Sequence, residues 1–478
     1  MAVLASGLAV TGAAVGWSST AAGSPPDLSI YAYATERRGN AASSSGPTIS
    51  AVARLKTRWH VALPGAINTQ PLEAHGVSVH GHRRDLLFVG TEHGEVFALA
   101  VGSGQTVWRR SLGAQRLVSE CEPSPDHMFG ISGTPTLDRH AGRLYVVDGR
   151  GFAWALSLGD GRTAPGWPVQ VTSAGTSEYV WGAVTLSRGR LYATIASRCD
   201  DGFYQGGVVA VDVRAPGQRL RWNVLGNAPP FYGGGIWSWG GASVDPRDGD
   251  VYVATGNANF PAAENAGYAE RVVRLGPTLK VRQSDYPLRE PFYIGDRDFG
   301  STPVLFRAKG CPAQLVALNK TGDVFLYDRS SISQGPRQRL KVADVRGEGV
   351  PLVGLPAFDT AHRTLVLLTP ADAPNGGPHR GLVAYRLSSA CRLVRRWQHG
   401  FDVPSSGSQP IISGGVVYVG SGRTGWLRAF SLADGHQLWS VRLGLSVYAA
   451  PSVIDGGVYA ADWKGGVWAF RARAGVRR

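Results

Sequence analysis

The 478-residue sequence contains only four cysteines and two methionines, lysine is scarce, and almost no stretch shows helical periodicity. No two cysteines are adjacent and no Cys-x-x-Cys-His motif occurs, which excludes a covalently attached haem and argues against a cysteine-based zinc site. The formal charge of +14 comes from scattered arginines. Nucleic-acid-binding proteins concentrate such charge in a stripe. The chain is therefore predicted to be β-rich, to carry no haem and to bind no nucleic acid.

Glycine is abundant, with 64 residues, and it recurs at fixed places in a repeated phrase. One copy runs from Leu86 to Trp108 and another from Val416 to Trp439. Each has an apolar stretch, a glycine turn, a second apolar stretch, and a glycine that precedes a tryptophan. Eight copies are spaced roughly 40 to 65 residues apart, the range expected of propeller blades with loop insertions. Their first apolar stretches are 86–91, 143–147, 190–193, 250–254, 314–318, 364–368, 416–420 and 457–460.

The repeat predicts an all-β fold, an eight-bladed β-propeller that forms a single domain over residues 51–474. Its units are rich in β-branched and aromatic residues, with glycine at the turns. A four-stranded sheet cannot bury both faces alone, but sheets stacked around an axis can. The last copy lacks a final strand, whereas residues 52–61 carry Trp59 and have no opening strands of their own. This N-terminal strand is therefore predicted to join the C-terminal blade and close the ring.

The two ends of the chain lie outside the repeats and differ from them in composition. Residues 1–23 form an apolar, signal-like segment with small residues at its end, which predicts export to the cell envelope or beyond. Residues 24–50 are rich in serine, glycine and proline and are predicted to be a flexible linker. Residues 475–478 form a short basic tail.

The four cysteines suit an exported, oxidised protein. Three pairings are possible. Cys121 with Cys199 and Cys311 with Cys391 are favoured, because each pair would join neighbouring blades. Buried free thiols are the alternative.

A segment in the middle of the chain makes a family resemblance specific. Trp237-Ser238-Trp239-Gly240 leads through Asp245-Pro246 into Thr255-Gly256-Asn257. This resembles the Trp-Gly…Asp-Pro…Gly-Thr-Gly-Asn segment of the quinoprotein alcohol dehydrogenases, enzymes that use pyrroloquinoline quinone (PQQ). In that family the tryptophan stacks on the planar quinone and the asparagine ligates a cation. The resemblance implies these roles for Trp239 and Asn257.

Further matches before and after this segment imply the other residues of a quinone and cation site. Asn319-Lys320-Thr321-Gly322 resembles the family strand whose basic residue, here Lys320, reaches the quinone oxygens. Residues 295–300 resemble the segment that holds the catalytic aspartate, and either Asp296 or Asp298 fits as the base, with the other near the metal. Asp201, or as second choice Asp200, stands where the family places a glutamate ligand. The resemblance thus implies Asp201, Asn257 and Asp298 as ligands of Ca²⁺ or a lanthanide.

These matches predict an exported PQQ-dependent dehydrogenase that oxidises a small or polymeric alcohol and passes electrons to an external acceptor. The length is similar to that of compact members resembling polyvinyl-alcohol dehydrogenase. The family's adjacent-cysteine disulfide is missing, however, and other propellers share the repeat without catalysis. A binding or scaffold propeller at the cell envelope is therefore the main alternative. A glycan hydrolase or lyase that uses the pairs Asp200–Asp201 or Asp296–Asp298 is another. The oligomeric state is left open.

Overall fold

The computed structural model describes residues 26–42, 45–117, 125–198, 200–226, 232–259, 267–289, 297–344, 354–402 and 407–472. Two predicted features, the apolar segment 1–23 and the tail 475–478, lie outside these residues. Within the described ranges the chain begins with a 3₁₀ turn (Tyr31–Tyr33) and a single helical turn, α1 (Ile49–Val52). No helix in this part of the chain is both long enough and apolar enough to cross a membrane.

The described strands form eight four-stranded antiparallel sheets and one small hairpin, which confirms the predicted eight-bladed propeller. The ring-closing strand is β1 (Leu55–Ala62). The first four blades are β2 (Leu72–Val79), β3 (His82–Gly90), β4 (Glu95–Ala100) and β5 (Thr106–Ser111); β8 (Thr136–Asp138), β9 (Arg143–Val147), β10 (Phe152–Ser157) and β11 (Val169–Gln170); β12 (Thr185–Ser187), β13 (Arg190–Ile195), β14 (Gly207–Asp212) and β15 (Arg219–Asn223); β16 (Ser243–Val244), β17 (Val251–Ala254), β18 (Val272–Leu275) and β19 (Val281–Asp285). The hairpin is β6 (Gln115–Arg116) with β7 (Met128–Phe129).

The remaining blades follow the same order. They are β20 (Val304–Arg307), β21 (Ala313–Leu318), β22 (Asp323–Asp328) and β23 (Gln338–Lys341); β24 (Ala357–Asp359), β25 (Thr364–Thr369), β26 (Gly381–Leu387) and β27 (Leu393–Gly400); β28 (Ile411–Ser413), β29 (Val416–Gly420), β30 (Trp426–Ser431) and β31 (Gln437–Arg442); β32 (Ser452–Ile454), β33 (Gly457–Ala461) and β34 (Gly466–Ala472). A second 3₁₀ turn covers Ile332–Gln334. The last sheet has the order β1-β34-β33-β32, so the N-terminal strand closes the ring as predicted.

The glycine and the tryptophan of the repeat act together to join neighbouring blades. Trp59 donates from Nε1 to the Val101 carbonyl of the next blade, at 2.9 Å. Its ring lies against Gly104, where a Cβ would approach the indole to 2.7 Å. Gly104 also has a φ of +74°, a conformation that favours glycine. Trp108 repeats the arrangement on the following blade with Leu158. The spacing of this pair in the sequence thus encodes the packing of blade on blade.

Residues 27–42, which we call the clasp, occupy the inner side of the ring, so the prediction of a flexible linker is wrong for them. The clasp makes backbone or side-chain hydrogen bonds to the first strand of each of the eight blades. The partners are Glu73, Leu137, Thr185, Val244, Leu305, Phe358, Ile412 and Val453. Tyr31, Ala32 and Arg37 of the clasp are buried. Composition misled here because residues 27–42 contain one serine, one glycine and no proline, unlike the rest of residues 24–50, and because most of these hydrogen bonds use main-chain atoms, which any sequence supplies.

Cys311 and Cys391 form a disulfide, as favoured from the sequence. It joins the loop between β20 and β21 to the turn between β26 and β27, in the neighbouring blade. The other predicted pair, Cys121 with Cys199, lies outside the described residues.

Candidate active site

Asp298, Lys320 and Asn257 meet where loops from two neighbouring blades come together. Asp298 precedes β20, Lys320 follows β21 of the same blade, and Asn257 follows β17 of the adjacent blade. Asp298 is fully buried. Its Oδ1 accepts a hydrogen bond from the Asn257 backbone N–H at 2.6 Å, and its Oδ2 accepts one from Lys320 Nζ at 3.0 Å. The Lys320 backbone N–H also donates to the Asp298 carbonyl at 2.7 Å.

The turn that carries Lys320 is fixed by its own sequence. Asn319 Oδ1 accepts hydrogen bonds from the Asp323 backbone N–H at 3.1 Å and from the Thr321 hydroxyl at 2.8 Å. Gly322 has a φ of +87° and lies against the Ala343 carbonyl, which leaves no room for a side chain. These features hold the lysine on a rigid support. A buried carboxylate that is paired with a rigid cation keeps a defined orientation, although such a pair adds little to stability.

Trp237 forms one wall beside Asp298. A Cβ at Gly256 would lie 2.6 Å from Asp298 Oδ1 and 2.7 Å from Trp237 Nε1, so both side chains pack closely against this glycine. The Lys320 Nζ lies 5.8 Å from the centre of a Trp237 ring, close enough for a cation–π interaction. The edge of Tyr204 contacts the other side of the indole, at a centroid distance of 6.1 Å.

Trp239 lines a separate small cavity that is partly open to solvent. Trp181 meets it edge-on at 6.0 Å between ring centres, and Tyr448 lies nearly parallel to it at 6.4 Å. The buried guanidinium of Arg198 and the indole of Trp463 complete one side of the cavity. Trp239 Nε1 is buried and has no hydrogen-bond partner among the described residues. The cavity therefore combines flat aromatic surfaces with positive charge, as a planar anion requires.

Glu92 lies at the edge of the same cavity and is almost fully buried. It accepts hydrogen bonds from Asn68 Nδ2 at 2.7 Å, from the Gly130 backbone N–H at 2.8 Å and from the Ser132 hydroxyl. Burial raises the pKa of Glu92, and the three donors oppose that shift only in part.

The structure brings together three of the residues predicted for the site, namely Asp298, Lys320 and Asn257. Trp239 lies in the aromatic cavity, where it can stack on a planar group, and Asp296 lies outside the described residues. Asp201, the predicted metal ligand, has an exposed side chain. The second choice, Asp200, accepts a hydrogen bond from Tyr204, the residue that contacts Trp237.

Tyr204 has a raised pKa, first because it is buried and then because Asp200 and Asp298 repel its ionised form. Within the described ranges, no three acidic, histidine or cysteine side chains are grouped so that they could hold a metal ion. Asparagine is not among these residue types, so the ligand set of Asp201, Asn257 and Asp298 for Ca²⁺ or a lanthanide stays a prediction.

Sequence reasoning missed Trp237, Arg198 and Glu92. Trp237 stands two residues before Trp239, so the same motif contains it, and only the resemblance favoured the second tryptophan. Arg198 lies next to the predicted metal-ligand segment, in which only the aspartates Asp200 and Asp201 were predicted as site residues. Glu92 follows a repeat strand and had no local signal beyond an acid in a glycine turn.

The fold and the repeat define the class of protein. The chain belongs to a PQQ-like repeat family, PQQ_2, whose model is described as outer membrane protein assembly factor BamB and matches residues 45–272 and 394–478. In sequence it is 26% identical to the polyvinylalcohol dehydrogenase of Pseudomonas sp over 463 residues, which cover 86% of this chain and 67% of that protein.

Solved structures share the fold at lower identity. A quinohemoprotein alcohol dehydrogenase from Comamonas testosteroni has a TM-score of 0.68 and 16% identity, over 95% of this chain and 81% of its own. A europium-containing methanol dehydrogenase has a TM-score of 0.71 and 14% identity, over 93% and 98%. BamB from Moraxella catarrhalis has a TM-score of 0.54 and 12% identity, over 89% and 99%. At these identities the likeness establishes the propeller alone, so the absence of haem from this chain stays a prediction.

Proposed function

We propose that this protein is a dehydrogenase that oxidises an alcohol or polyol with PQQ as cofactor. The observation that carries the proposal is the buried Asp298 carboxylate, held between the Asn257 N–H and the Lys320 ammonium at 2.6 and 3.0 Å. The resemblance implied Asp298 or Asp296 as the base, Lys320 as a quinone-binding residue and Asn257 as a ligand of the cation. Asp298 and Lys320 also fall outside the two ranges that match the assembly-factor family.

The aromatic cavity suits PQQ, which is planar and carries several carboxylates. Trp239 offers a flat face for stacking, and Arg198 offers positive charge. Trp237 and Trp239 each hold a buried indole N–H that has no acceptor among the described residues. Buried donors without partners are rare in native proteins, and here a cofactor oxygen or a substrate oxygen would satisfy them.

The quinone, when bound, supplies the two-electron acceptor that no amino-acid side chain provides. Asp298 accepts the hydroxyl proton of the substrate as a carboxylate base that the Asn257 N–H and the Lys320 ammonium hold in position. Lys320 holds the carboxylate in place through its ammonium group. The surrounding indoles exclude water from the reacting atoms.

A cation such as Ca²⁺ or a lanthanide does not fit the described residues as well as the quinone does. The Asp298 oxygens already accept hydrogen bonds from the Asn257 N–H and Lys320, and Asp201 is exposed. We therefore assign no step of the reaction to a cation.

We also propose that the protein works outside the cytoplasm and passes electrons to an external acceptor. The Cys311–Cys391 disulfide supports an oxidising compartment. The apolar segment at residues 1–23 supports export, although it lies outside the described residues. The scaffold role suggested by the assembly-factor family is the alternative, and it requires no bound quinone.

The test is dye-linked oxidation of a panel of alcohols and polyols by protein loaded with PQQ. Asp298→Asn keeps the shape of the side chain but removes the base, so kcat should fall by about 10² to 10⁴ while PQQ still binds. Asp434→Asn, at an exposed turn, is the matched control and should keep full activity. PQQ binding without oxidation of any alcohol would contradict the dehydrogenase. Equal rates for Asp298→Asn and the parent protein would contradict the role of Asp298.

A further inference from the structure

The fold gathers arginines that are scattered in the sequence at the outer edge of four neighbouring blades. The outermost strands of these blades are β27, β31, β1 and β5, and they contain no aspartate or glutamate. Their exposed side chains include seven cations, which we call the basic half-rim: Lys56, Arg58, Arg109, Arg110, Arg395, Arg396 and Arg442. The formal charge of +14 is therefore spread unevenly over the surface.

The outer edges of other blades neutralise cations with acids of the same chain. Three outer strands there hold an arginine in an ion pair of 2.6 to 3.0 Å: Arg221 with Glu178, Arg282 with Asp250 and Arg339 with Asp323. By contrast, no cation of the basic half-rim is paired with an acid among the described residues. Arg58 donates to the Gly102 carbonyl at 3.3 Å. Arg395 donates to the Gly376 carbonyl at 3.1 Å, so its charge also stays without a counterion from the described chain.

Protection of exposed sheet edges does not account for this pattern. Charged side chains keep an edge strand from pairing with another molecule, and lysine is especially common in this role. All eight large sheets have an outer edge, so the need for protection is the same around the ring. The basic half-rim is instead confined to four blades, and six of its seven cations are arginines. Arginine carries a planar fork of donors that binds an anionic group through two parallel hydrogen bonds.

The strands of the basic half-rim are fixed to one another by their tryptophans. Trp59 of β1 donates from Nε1 to the Val101 carbonyl of the next blade, at 2.9 Å. Trp397 of β27 donates in the same way to the Leu432 carbonyl, also at 2.9 Å. The cations beside these tryptophans therefore project from a rigid backbone. An array that is already ordered loses less entropy on binding than a mobile basic tail does.

We propose that the basic half-rim is a docking surface for a flexible linear polymer that carries phosphate groups. In a ring of eight blades the outer edges of neighbours point about 45° apart, so a flat surface meets only one or two edges. A flexible chain follows the curve and contacts all four. Each phosphate group presents a negative charge and several acceptor oxygens to an arginine fork. The inference goes beyond the proposed oxidation of alcohols and does not depend on a bound quinone.

A nucleic acid suits this surface less well than a polymer without bases. Proteins that bind single strands stack the bases on aromatic side chains. The tryptophans of β1, β5, β27 and β31 are buried or only partly exposed. Within these four strands the exposed large apolar side chain is Val394, which is aliphatic. The basic half-rim thus offers charge without platforms for stacking.

The test measures binding of fluorescently labelled, long-chain inorganic polyphosphate to the full chain without PQQ, by anisotropy at several salt concentrations. With about five phosphates contacted, affinity should fall roughly a hundredfold between about 50 and 200 mM NaCl. A variant that combines Arg109→Gln, Arg110→Gln, Arg395→Gln and Arg396→Gln should bind at least about tenfold more weakly, with about half the dependence on salt. The same four residues changed to lysine keep the charge and should bind nearly as well as the parent protein.

The matched control removes four exposed cations from turns of the third, fourth and fifth blades: Arg214→Gln, Arg247→Gln, Lys280→Gln and Lys309→Gln. It should bind polyphosphate within about threefold of the parent protein. Equal weakening in the two glutamine variants would show attraction to net charge alone and would overturn the docking surface, as would loss of binding in the lysine variant. Tighter binding to polyglutamate, to single-stranded DNA or to vesicles of phosphatidylglycerol, at equal concentration of charge, would refute the choice of partner.

Discussion

Gly39 offers a sharp test of the clasp, because its place in the ring leaves no room for a side chain. Its φ is +62°, and a Cβ would lie 2.7 Å from the Pro410 carbonyl oxygen and 3.0 Å from both Ala357 Cβ and Gln409 Nε2. The left-handed conformation costs a non-glycine residue about 1–2 kcal/mol. Overpacking against a fixed backbone adds about 1–3 kcal/mol. Gly39→Ala should therefore lower the free energy of unfolding by about 3 kcal/mol.

The expected shift in melting temperature follows from the size of the domain. Unfolding entropy of about 2.1 cal/mol/K per residue gives a propeller of this length roughly 0.9 kcal/mol per degree, so the loss is about 3 °C. Thermal unfolding followed by circular dichroism measures it. Gly102→Ala is the matched control, since nothing lies within 4 Å of its Cβ position. If both variants melt with the parent protein, residues 27–42 are not packed in the ring and the linker prediction stands.

Two further predictions concern stability. Burial raises the pKa of Glu73 to about 8, although the charge of Arg471 opposes this shift. The folded protein therefore keeps a proton on Glu73 at pH values above 4.5, where the unfolded chain has released it. The free energy of unfolding should fall between about pH 4.5 and 8, by up to about 5 kcal/mol. Glu73→Gln should be clearly more stable than the parent protein at pH 8 and equally stable at pH 4. Denaturant titrations in which the two proteins do not diverge with pH would refute this prediction. Replacing Cys311 and Cys391 by alanine opens a link across a sequence separation of 80 residues and should cost about 4 kcal/mol; unchanged denaturation midpoints would show that the disulfide adds nothing.

The sequence predicted the propeller well because every blade repeats the same physical solution. The apolar stretches became the central strands of the sheets. In three copies the glycine before the tryptophan packs against an indole of the neighbouring blade: Gly104 against Trp59, Gly161 against Trp108 and Gly435 against Trp397. Even the closure by Leu55–Ala62 could be predicted, since that strand carried the tryptophan of an otherwise incomplete copy. Because the same contacts recur in each blade, the pattern of the repeat could be recognised from a single sequence.

Single contacts outside the repeat could not be predicted in the same way. The clasp makes most of its hydrogen bonds to the blades through main-chain atoms, so its residue types gave no sign of burial. Of the two neighbouring aspartates, Asp200 and Asp201, only the backbone decides which side chain turns inward: Asp200 has a φ of +56° and bonds to Tyr204. Trp237 lies beside Asp298 and Lys320, whereas Trp239 lines the aromatic cavity, and the motif that contains both does not predict this difference.

The most direct test of the proposed site is a titration of the purified protein with PQQ, followed by quenching of tryptophan fluorescence. We expect saturable quenching, with affinity at least tenfold weaker in Lys320→Met. Lys309→Met, on an exposed turn, serves as the control and should bind like the parent protein. Lys320→Arg keeps the charge and checks that any loss does not come from misfolding. Quenching that is absent, or equal in both methionine variants, would contradict the quinone site and favour the envelope scaffold.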